Sequence, residues 1–341
     1  MKQDQMNFGA TTAAPLVVAY GMDVNSTALL IEFRRRGIRP DLILFADTGS
    51  EKAVTYAYRP VIDAWLAQVG FPTLHVVRYE PKNFKNYPPY HSLEENLLTN
   101  ATLPSLAFGF KSCSLKWKVA PQDAFVRSWP PALECWAAGG RVRKVIGYDA
   151  GPADLRRRNH AGDREDRDYD YWYPLIEWGL DREACKAIIV QERLPQPPKS
   201  SCYFCPATKP AELVEAPRDE LRRIVTIEAR ARPRLHSIDG LWRKPVKGAR
   251  GATPRPGSMS EFIRQHQLLP PDEIDAIIAR TPTALLTRGE VESWPAWLET
   301  LFADAVTGGC AGCGPTRRPR QRDSFAFRYL RSCPRPHLSL I

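Results

Sequence analysis

The chain has no apolar run that approaches the roughly 18 residues a membrane span needs. Its first residues, MKQDQMNFGATT, lack the apolar centre of a secretory signal. We therefore expect a cytoplasmic protein with no membrane partner. In that compartment its eight cysteines are better read as thiols or metal ligands than as disulfides.

Several catalytic and nucleotide-binding motifs are also missing. No Gly-Lys-Ser/Thr follows a glycine-rich loop, as in a Walker loop, and no Gly-x-Gly-x-x-Gly dinucleotide fingerprint occurs. A Ser/His/Asp arrangement is absent as well. The formal net charge of +10 suits a nucleotide or nucleic-acid partner, but a generally basic surface would give the same balance.

What the chain does have is an alternation of apolar runs and helical periodicity. Strands are predicted at 15–20, 41–46, 73–79 and 142–148, and helices at 26–36, 52–69 and 115–128. Near-continuous apolar strands of this kind indicate an α/β fold with a mostly parallel sheet and helices on both faces. The charge-rich segment 149–170 is predicted to be a mobile loop. The second half is predicted to be mainly helical, with helical pieces at about 210–232, 258–267, 271–280 and 294–306 separated by proline-rich or polar turns.

Two loops of the predicted sheet carry polar groups. The first, GMDVNST at 21–27, offers backbone N–H groups and two hydroxyls at a helix start, which can hold a phosphate. Asn, Ser and Thr are equally normal caps of an ordinary turn. In the second loop Asp47 follows a strand and Glu51 lies on the next helical turn, where a carboxylate can bind a ribose hydroxyl, a metal ion or an amine. Both loops leave carboxyl ends of strands and should face one cleft.

Five segments, in order, resemble the phosphoadenosine phosphosulfate (PAPS) reductase-like family of the PP-loop ATP pyrophosphatase, or adenine nucleotide alpha hydrolase (HUP), superfamily. They are VNSTALL at 24–30, FADTGSE at 45–51, KSCSLKWKVAP at 111–121, GYDAG at 147–151 followed by Arg156, and YPLIEW at 173–178 with KSSCYFCP at 199–206. The resemblance covers roughly residues 15–206 and implies a HUP-type, Rossmann-like sheet.

The resemblance also implies a ligand and its site. The ligand is ATP or a PAPS-type adenine nucleotide with Mg²⁺. Asp47 is the expected catalytic residue near the ribose or the reacting group, and Arg156 is expected to reach a phosphate or sulfate. The nucleotide-binding residues would be Gly21, Asp23, Asn25, Ser26, Thr27, Asp47, Thr48, Gly49, Glu51 and Gly147.

Family members either adenylate a substrate oxygen with loss of pyrophosphate or reduce a nucleotide-borne sulfonate with a thiol. The loop departs from the family's Ser-Gly-Gly-x-Asp-Ser, notably at Asp23, and a carboxylate beside a phosphate needs Mg²⁺ or a lysine to offset it. The reductases' C-terminal Glu-Cys-Gly-x-His-type segment is missing. We therefore expect adenylation, with sulfur transfer from a donor protein as a further step. The alternatives are sulfonate reduction and a nucleic-acid-binding or modification-associated module with a degenerate nucleotide site.

The cysteines predict a second chemical site. Cys202-x-x-Cys205 and Cys310-x-x-Cys313 are turns that each offer two thiolates. The resemblance groups Cys113 with Cys202 and Cys205. A [4Fe–4S] cluster on those three and one tail cysteine would suit both observations, with Zn²⁺ as the second choice. A redox dithiol without metal is the remaining alternative.

The tail is strongly basic. Residues 316–335 carry seven arginines and one acid with aromatic residues between them, a pattern that can grip a phosphate backbone and stack on bases. A basic tail without a nucleic-acid partner is the other reading. We predict a nucleotide-binding core over 1–195, a helical accessory region over 196–306 and a cysteine-containing basic tail over 307–341.

Overall fold

The structure is a computed structural model. It describes residues 14–81, 84, 86–104, 106–107, 110–161, 166–248 and 254–307.

A five-stranded sheet organises the first half of the chain. Its strands, and two strands of a small hairpin, are β1 (Leu16–Ala19), β2 (Leu42–Asp47), β3 (Leu74–Arg78), β4 (Leu106–Ala107), β5 (Phe110–Lys111), β6 (Val142–Ile146) and β7 (Tyr169–Trp172). The sheet order is β3-β2-β1-β6-β7, and every pairing in it is parallel. Strands β4 and β5 form the antiparallel hairpin. The predicted α/β fold with a parallel, Rossmann-like sheet is therefore confirmed.

Helices follow most strands and make up the C-terminal part. They are α1 (Val24–Arg35), α2 (Ala53–Gln68), α3 (Leu93–Asn100), α4 (Ser112–Ser114), α5 (Ala120–Val126), α6 (Pro130–Ala137), α7 (Pro152–Ala161), α8 (Pro174–Glu177), α9 (Arg182–Gln191), α10 (Pro210–Val214), α11 (Arg218–Ala231), α12 (Met259–Gln265), α13 (Pro271–Arg280) and α14 (Trp294–Thr307). A π-helical turn, Leu115–Val119, joins α4 to α5. Among the described residues, no helix is both long enough and apolar enough to cross a membrane.

The sheet is covered on both faces, as its apolar strands require. One face packs against α1, α2 and α9 through side chains such as Val18, Leu29 and Ile189. The other packs against α5 and α6 through Val17 and Val126 among others. All six residues of β2 are buried, which places this strand in the middle of the molecule.

A third apolar core joins distant parts of the chain. It combines α3 and Trp117 from the first half with Phe204 and the helices α11 to α14. The helical region is thus built partly from residues that precede position 195. The domain boundary at that position stays a prediction.

The prediction of a mobile loop over 149–170 is wrong for much of that segment. Helix α7 occupies Pro152–Ala161, with proline as its first residue, where the missing N–H costs nothing. Strand β7 begins at Tyr169 and pairs with β6. The dense charge concealed both elements: α7 exposes Arg156 and Arg157 and buries the acid Asp154, so no apolar stripe marks it in the sequence. The predicted single helix over 210–232 is instead two helices, α10 and α11, divided before Pro217.

Candidate active site at the strand ends

The strand order reverses between β1 and β6. From β1 the chain builds β2 and β3 on one side and then crosses to β6 and β7 on the other. In open parallel sheets, ligands bind beyond the carboxyl ends of the strands at such a switch point. Here the loops that follow β1 and β6 meet closely: a Cβ on Gly147 would lie 3.3 Å from Ser26 Cα. Only glycine permits this approach without displacing the start of α1.

The loop after β1 is closed by its own side chains. Asp23 caps α1: its Oδ1 accepts hydrogen bonds from Ser26 N at 2.9 Å and from Ser26 Oγ at 2.7 Å. Ser26 Oγ in turn accepts from Asp23 N at 3.2 Å, which completes a capping box. Gly21 and Met22 form the turn before the cap, and Met22 has a φ of 55°. The carboxylate of Asp23 thus occupies a donor that a bound phosphate would otherwise use.

Asn25 and Thr27 are both buried and bonded within the protein. Asn25 Nδ2 donates to Asp149 Oδ2 at 2.8 Å and to Asp154 Oδ2 at 3.2 Å. Its Oδ1 accepts from Arg182 Nη1 at 2.8 Å. Thr27 Oγ1 lies 3.0 Å from the hydroxyl of Tyr20. These two residues of the predicted phosphate loop therefore tie β1, α1 and the loop after β6 together.

Negative charge is concentrated at the switch point. Burial raises the pKa of Asp154, and the carboxylates of Asp149 and Asp23 raise it further, while the Asp149 N–H and Arg157 oppose the shift. Asp149 and Asp154 both have an oxygen within hydrogen-bonding distance of the Asn25 amide. Mg²⁺ commonly takes one or two carboxylates from a protein, with phosphates and water completing its shell. All four oxygens of Asp149 and Asp154 already accept hydrogen bonds, among them those from Gly151 N and Arg157 Nη1, so the pair does not fit that ion in its present arrangement.

The predicted catalytic Asp47 is the last residue of β2, and it is buried with both oxygens occupied. Oδ1 accepts from Gly49 N at 2.8 Å and from the Tyr56 hydroxyl at 2.7 Å. Oδ2 accepts from Arg78 Nη2 at 2.6 Å and from Arg78 Nε at 3.0 Å. Burial and the neighbouring Asp47 carboxylate raise the pKa of Tyr56, so its hydroxyl stays protonated and donates.

Glu51 forms a second ion pair close to Asp47. Its buried Oε1 lies 2.8 Å from Lys118 Nζ. Burial favours the neutral amine, but Glu51 and the two nearby cysteines outweigh it and raise the pKa of Lys118. The Glu51 N–H donates to the Tyr56 hydroxyl at 3.3 Å, so both ion pairs share one tyrosine. Glu51 also pairs with Cys202 in an isolated β-bridge, which brings the 199–206 segment to the end of β2.

Cys202 and Cys205, two of the predicted cluster ligands, lie close to this end of β2. Cys202 is buried, its Sγ is 3.3 Å from Thr48 Oγ1, and burial together with Glu51 raises the pKa of its thiol. Cys205 closes a turn on Cys202 through a 3.0 Å backbone hydrogen bond, and Cys113 packs against the same core. In the part of the chain that the structure describes, no three His, Cys, Asp or Glu side chains are grouped as metal ligands.

Two further parts of the predicted site, the tail and Arg156, stay predictions. Cys310 and Cys313, with the basic tail, lie outside the described residues, so the cluster and the tail's nucleic-acid role stay predictions. Arg156 lies on α7 with an exposed side chain, next to Arg157, whose Nη1 donates to Asp154 at 2.6 Å. Its predicted contact with a phosphate or sulfate also stays a prediction.

Sequence reasoning missed several residues that complete these groups. They are Tyr56, Arg78, Lys118, Asp149, Asp154 and Arg182. One signal was present in the sequence: Arg78 ends the strand after β2, as Asp47 ends β2, and the two are partners in the parallel register. Tyr56 is only nine residues from Asp47 along the chain, while the other four are joined to the predicted loops only by the folding of the chain.

The chain matches no family model and no curated protein. The site is therefore interpreted from its own geometry.

Proposed function

We propose that the chain is an adenine-nucleotide-binding enzyme of the PAPS reductase-like, PP-loop type, which activates a substrate oxygen by adenylation and releases pyrophosphate. The observation that carries this proposal is the switch point between β1 and β6, where Gly147 lets the loop after β6 close on the start of α1. Rossmann-like sheets bind nucleotides at this position.

In the proposed reaction, a substrate oxygen attacks the α-phosphate in line and pyrophosphate leaves. The loop at 21–27 would hold the leaving pyrophosphate through backbone N–H groups at the start of α1. Asn25 has a positioning role, because its amide fixes Asp149 and Asp154 in place. Arg156, exposed on α7, would approach the phosphates from the other side of the cleft.

The proposed reaction needs Mg²⁺, and Asp149 and Asp154 would hold it only by exchanging hydrogen bonds that they make in this structure. When bound, the ion would neutralise charge on the phosphates and on the leaving pyrophosphate. This also accounts for a carboxylate, Asp23, beside a proposed phosphate site, since the local negative charge is then offset. The predicted [4Fe–4S] cluster is not needed for the proposed adenylation step.

The test is pyrophosphate release from Mg²⁺–ATP in the presence of candidate acceptors, including RNA, DNA and small molecules with free hydroxyls. Gly147→Ala should reduce release at least tenfold, because the added Cβ would press on the backbone of Ser26. Gly289→Ala is the matched control: its Cβ meets nothing within 4 Å, and release should be unchanged.

Two results would contradict the proposal. One is the absence of both ATP binding and pyrophosphate release with every acceptor. The other is production of sulfite from PAPS with a thiol donor, without pyrophosphate release from ATP, which would favour sulfonate reduction. Equal loss of release in Gly147→Ala and Gly289→Ala would also count against the switch point as the nucleotide site.

A further inference from the structure

The end of β2 holds two basic side chains on two buried carboxylates. Arg78 pairs with Asp47, and Lys118 pairs with Glu51. Tyr56 links the pairs, since its hydroxyl donates to Asp47 and accepts from the Glu51 N–H. The proposed adenylation does not use this arrangement.

Asp47 has no oxygen left for a strong new interaction. Four donors surround its two oxygens at 2.6 to 3.0 Å, and the side chain is 3% exposed. To bind a ribose hydroxyl or accept a proton, the carboxylate would have to give up one of these charge-assisted bonds. Its evident effect is instead to hold the guanidinium of Arg78 in one orientation.

Arg78 keeps most of its donors for another partner. A guanidinium carries five N–H groups, and Asp47 engages only the edge formed by Nε and Nη2. The side chain is 62% exposed, so Nη1 and the second N–H of Nη2 are accessible. That free fork has the geometry that pairs with two oxygens of a phosphate, sulfate or sulfonate.

Lys118 supplies a second cation held in the same way. Its side chain is 36% exposed, while Glu51 is completely buried beneath it. Its raised pKa keeps the amine charged at neutral pH. Each cation therefore has a buried carboxylate on one side and solvent on the other.

We propose that Arg78 and Lys118 form a binding site for a tetrahedral oxyanion, such as a sulfate, sulfonate or phosphate group on a second substrate. The site lies at the end of β3 and β2, two strand spacings or about 10 Å from β1 along the same edge of the sheet. The site deepens the proposed function, and its use as an acceptor subsite rests on that function.

The experiment is a calorimetric titration of the full chain with inorganic sulfate, and separately with inorganic phosphate, at constant ionic strength. Arg78→Gln should weaken binding at least tenfold. Arg78→Lys should lose part of the affinity, because an ammonium acts as a point charge without the fork. The double variant Glu51→Gln with Lys118→Gln should also weaken binding. Because it removes both members of the ion pair, it leaves no unpaired charge in a buried position. Whichever anion binds more tightly supports the site and identifies the group that fits it.

Arg143→Gln is the matched control, since Arg143 is a strand arginine paired with Asp170 at 3.3 Å and 49% exposed. It should bind sulfate like the wild type. Arg78→Gln leaves the buried Asp47 without its cation. The double variant Asp47→Asn with Arg78→Gln avoids this, and its anion affinity should be reduced as well. Thermal unfolding verifies that each variant is folded.

The proposal is overturned if neither anion binds the wild type, if Arg78→Gln binds both as the wild type does, or if Arg143→Gln weakens binding equally. Gly147→Ala separates the two proposals, because it should impair pyrophosphate release and leave sulfate binding intact. If ATP chemistry is absent but sulfate binding depends on Arg78, the oxyanion site stands and the adenylation proposal fails.

Discussion

The polar side chains at the strand ends mainly form hydrogen bonds and ion pairs with one another. Asn25 neutralises no charge, yet its amide separates and holds two carboxylates. Asp47 orients Arg78, and Asp23 caps α1. At this scale the site consists of carboxylates that are each fixed by donors, and burial raises the pKa of one of them, Asp154.

The first prediction concerns Asp154 and pH. Because its folded-state pKa is raised, the folded protein binds a proton more readily there than the unfolded chain. The stability from that proton is present at low pH and is lost as the pH rises from about 4 through the raised pKa. Asp154→Asn should therefore gain stability relative to the wild type as the pH rises towards neutral, measured by urea unfolding without divalent ions.

Asp63→Asn is the control for that series. Asp63 is a surface residue paired with Arg59 at 3.2 Å, and its replacement removes an exposed ion pair, so it should bring no gain in stability towards neutral pH. If Asp154→Asn instead loses stability relative to the wild type as the pH rises, the folded protein stabilises the ionised form of Asp154 and the prediction is wrong.

The sequence identified the two loops but not their partners. Residues 21–27 and 47–51 could be predicted because a glycine turn or an acid directly follows an apolar strand. The partners of Asn25, namely Asp149, Asp154 and Arg182, are 124 to 157 residues away along the chain. No local pattern reports a hydrogen bond across that separation.

At the scale of elements, helix α11 is held by a buried cation. Arg230 is fully buried and donates to Leu98 O at the end of α3, and to Pro282 O and Ala284 O in the loop after α13. Burial, with Arg234 nearby, lowers the pKa of Arg230 to about 10. Carbonyl dipoles and the ring of Trp294 thus take the place of a carboxylate partner.

The second prediction is that Arg230→Met lowers the free energy of unfolding by about 3 kcal/mol, since it leaves buried carbonyl groups without donors. Arg230→Lys should recover only part of this loss, because one ammonium cannot span carbonyls on two elements. Urea denaturation measures both. Arg234→Met, which removes one exposed bond to Thr283 O, should cost about 0.5 kcal/mol or less. Equal costs at the two positions would contradict this role of Arg230.

Element boundaries followed from the sequence where periodicity was strong. Strand β2 and helix α13 lie close to their predicted limits, because continuous apolar runs and a Pro-Pro start are clear local signals. Helix α7 was missed because its charged residues mask any apolar periodicity. Its formation depends on the loop after β6, where Asp149 Oδ1 accepts from Gly151 N at 2.7 Å.

At the scale of the whole molecule, one apolar core combines residues from the sheet-forming half of the chain with the C-terminal helices. Helix α3 and Trp117 lie between the sheet strands β3 and β6 in the chain, yet their apolar side chains belong to the core of α11 to α14. Glu212 adds a polar link: burial opposes its ionisation, but Lys199 and Lys52 together lower its pKa to about 2. The apolar core of the helical region thus includes residues on both sides of position 195, and the domain boundary predicted there stays a prediction.

The third prediction follows from that sharing. A fragment that ends at residue 195 should fail to unfold cooperatively and should aggregate, because α3 and Trp117 would lose their apolar partners. Circular dichroism melts and size-exclusion chromatography measure this. A chain that ends at residue 307 keeps every helix of the core and should melt as the full chain does. Cooperative unfolding of the shorter fragment would instead support the predicted boundary at 195.

The π-helical turn at Leu115–Val119 determines the directions in which its side chains leave the helix. A π turn accommodates a residue more than the α-helical spacing, and each α-helical residue advances about 100° around the axis. This offset lets Trp117 enter the apolar core while the adjacent Lys118 reaches Glu51. Deleting one residue here would leave a regular helix, yet it would turn one of the two side chains away from its partner. The number of residues in this turn, as well as their identity, thus determines whether Lys118 reaches the end of β2.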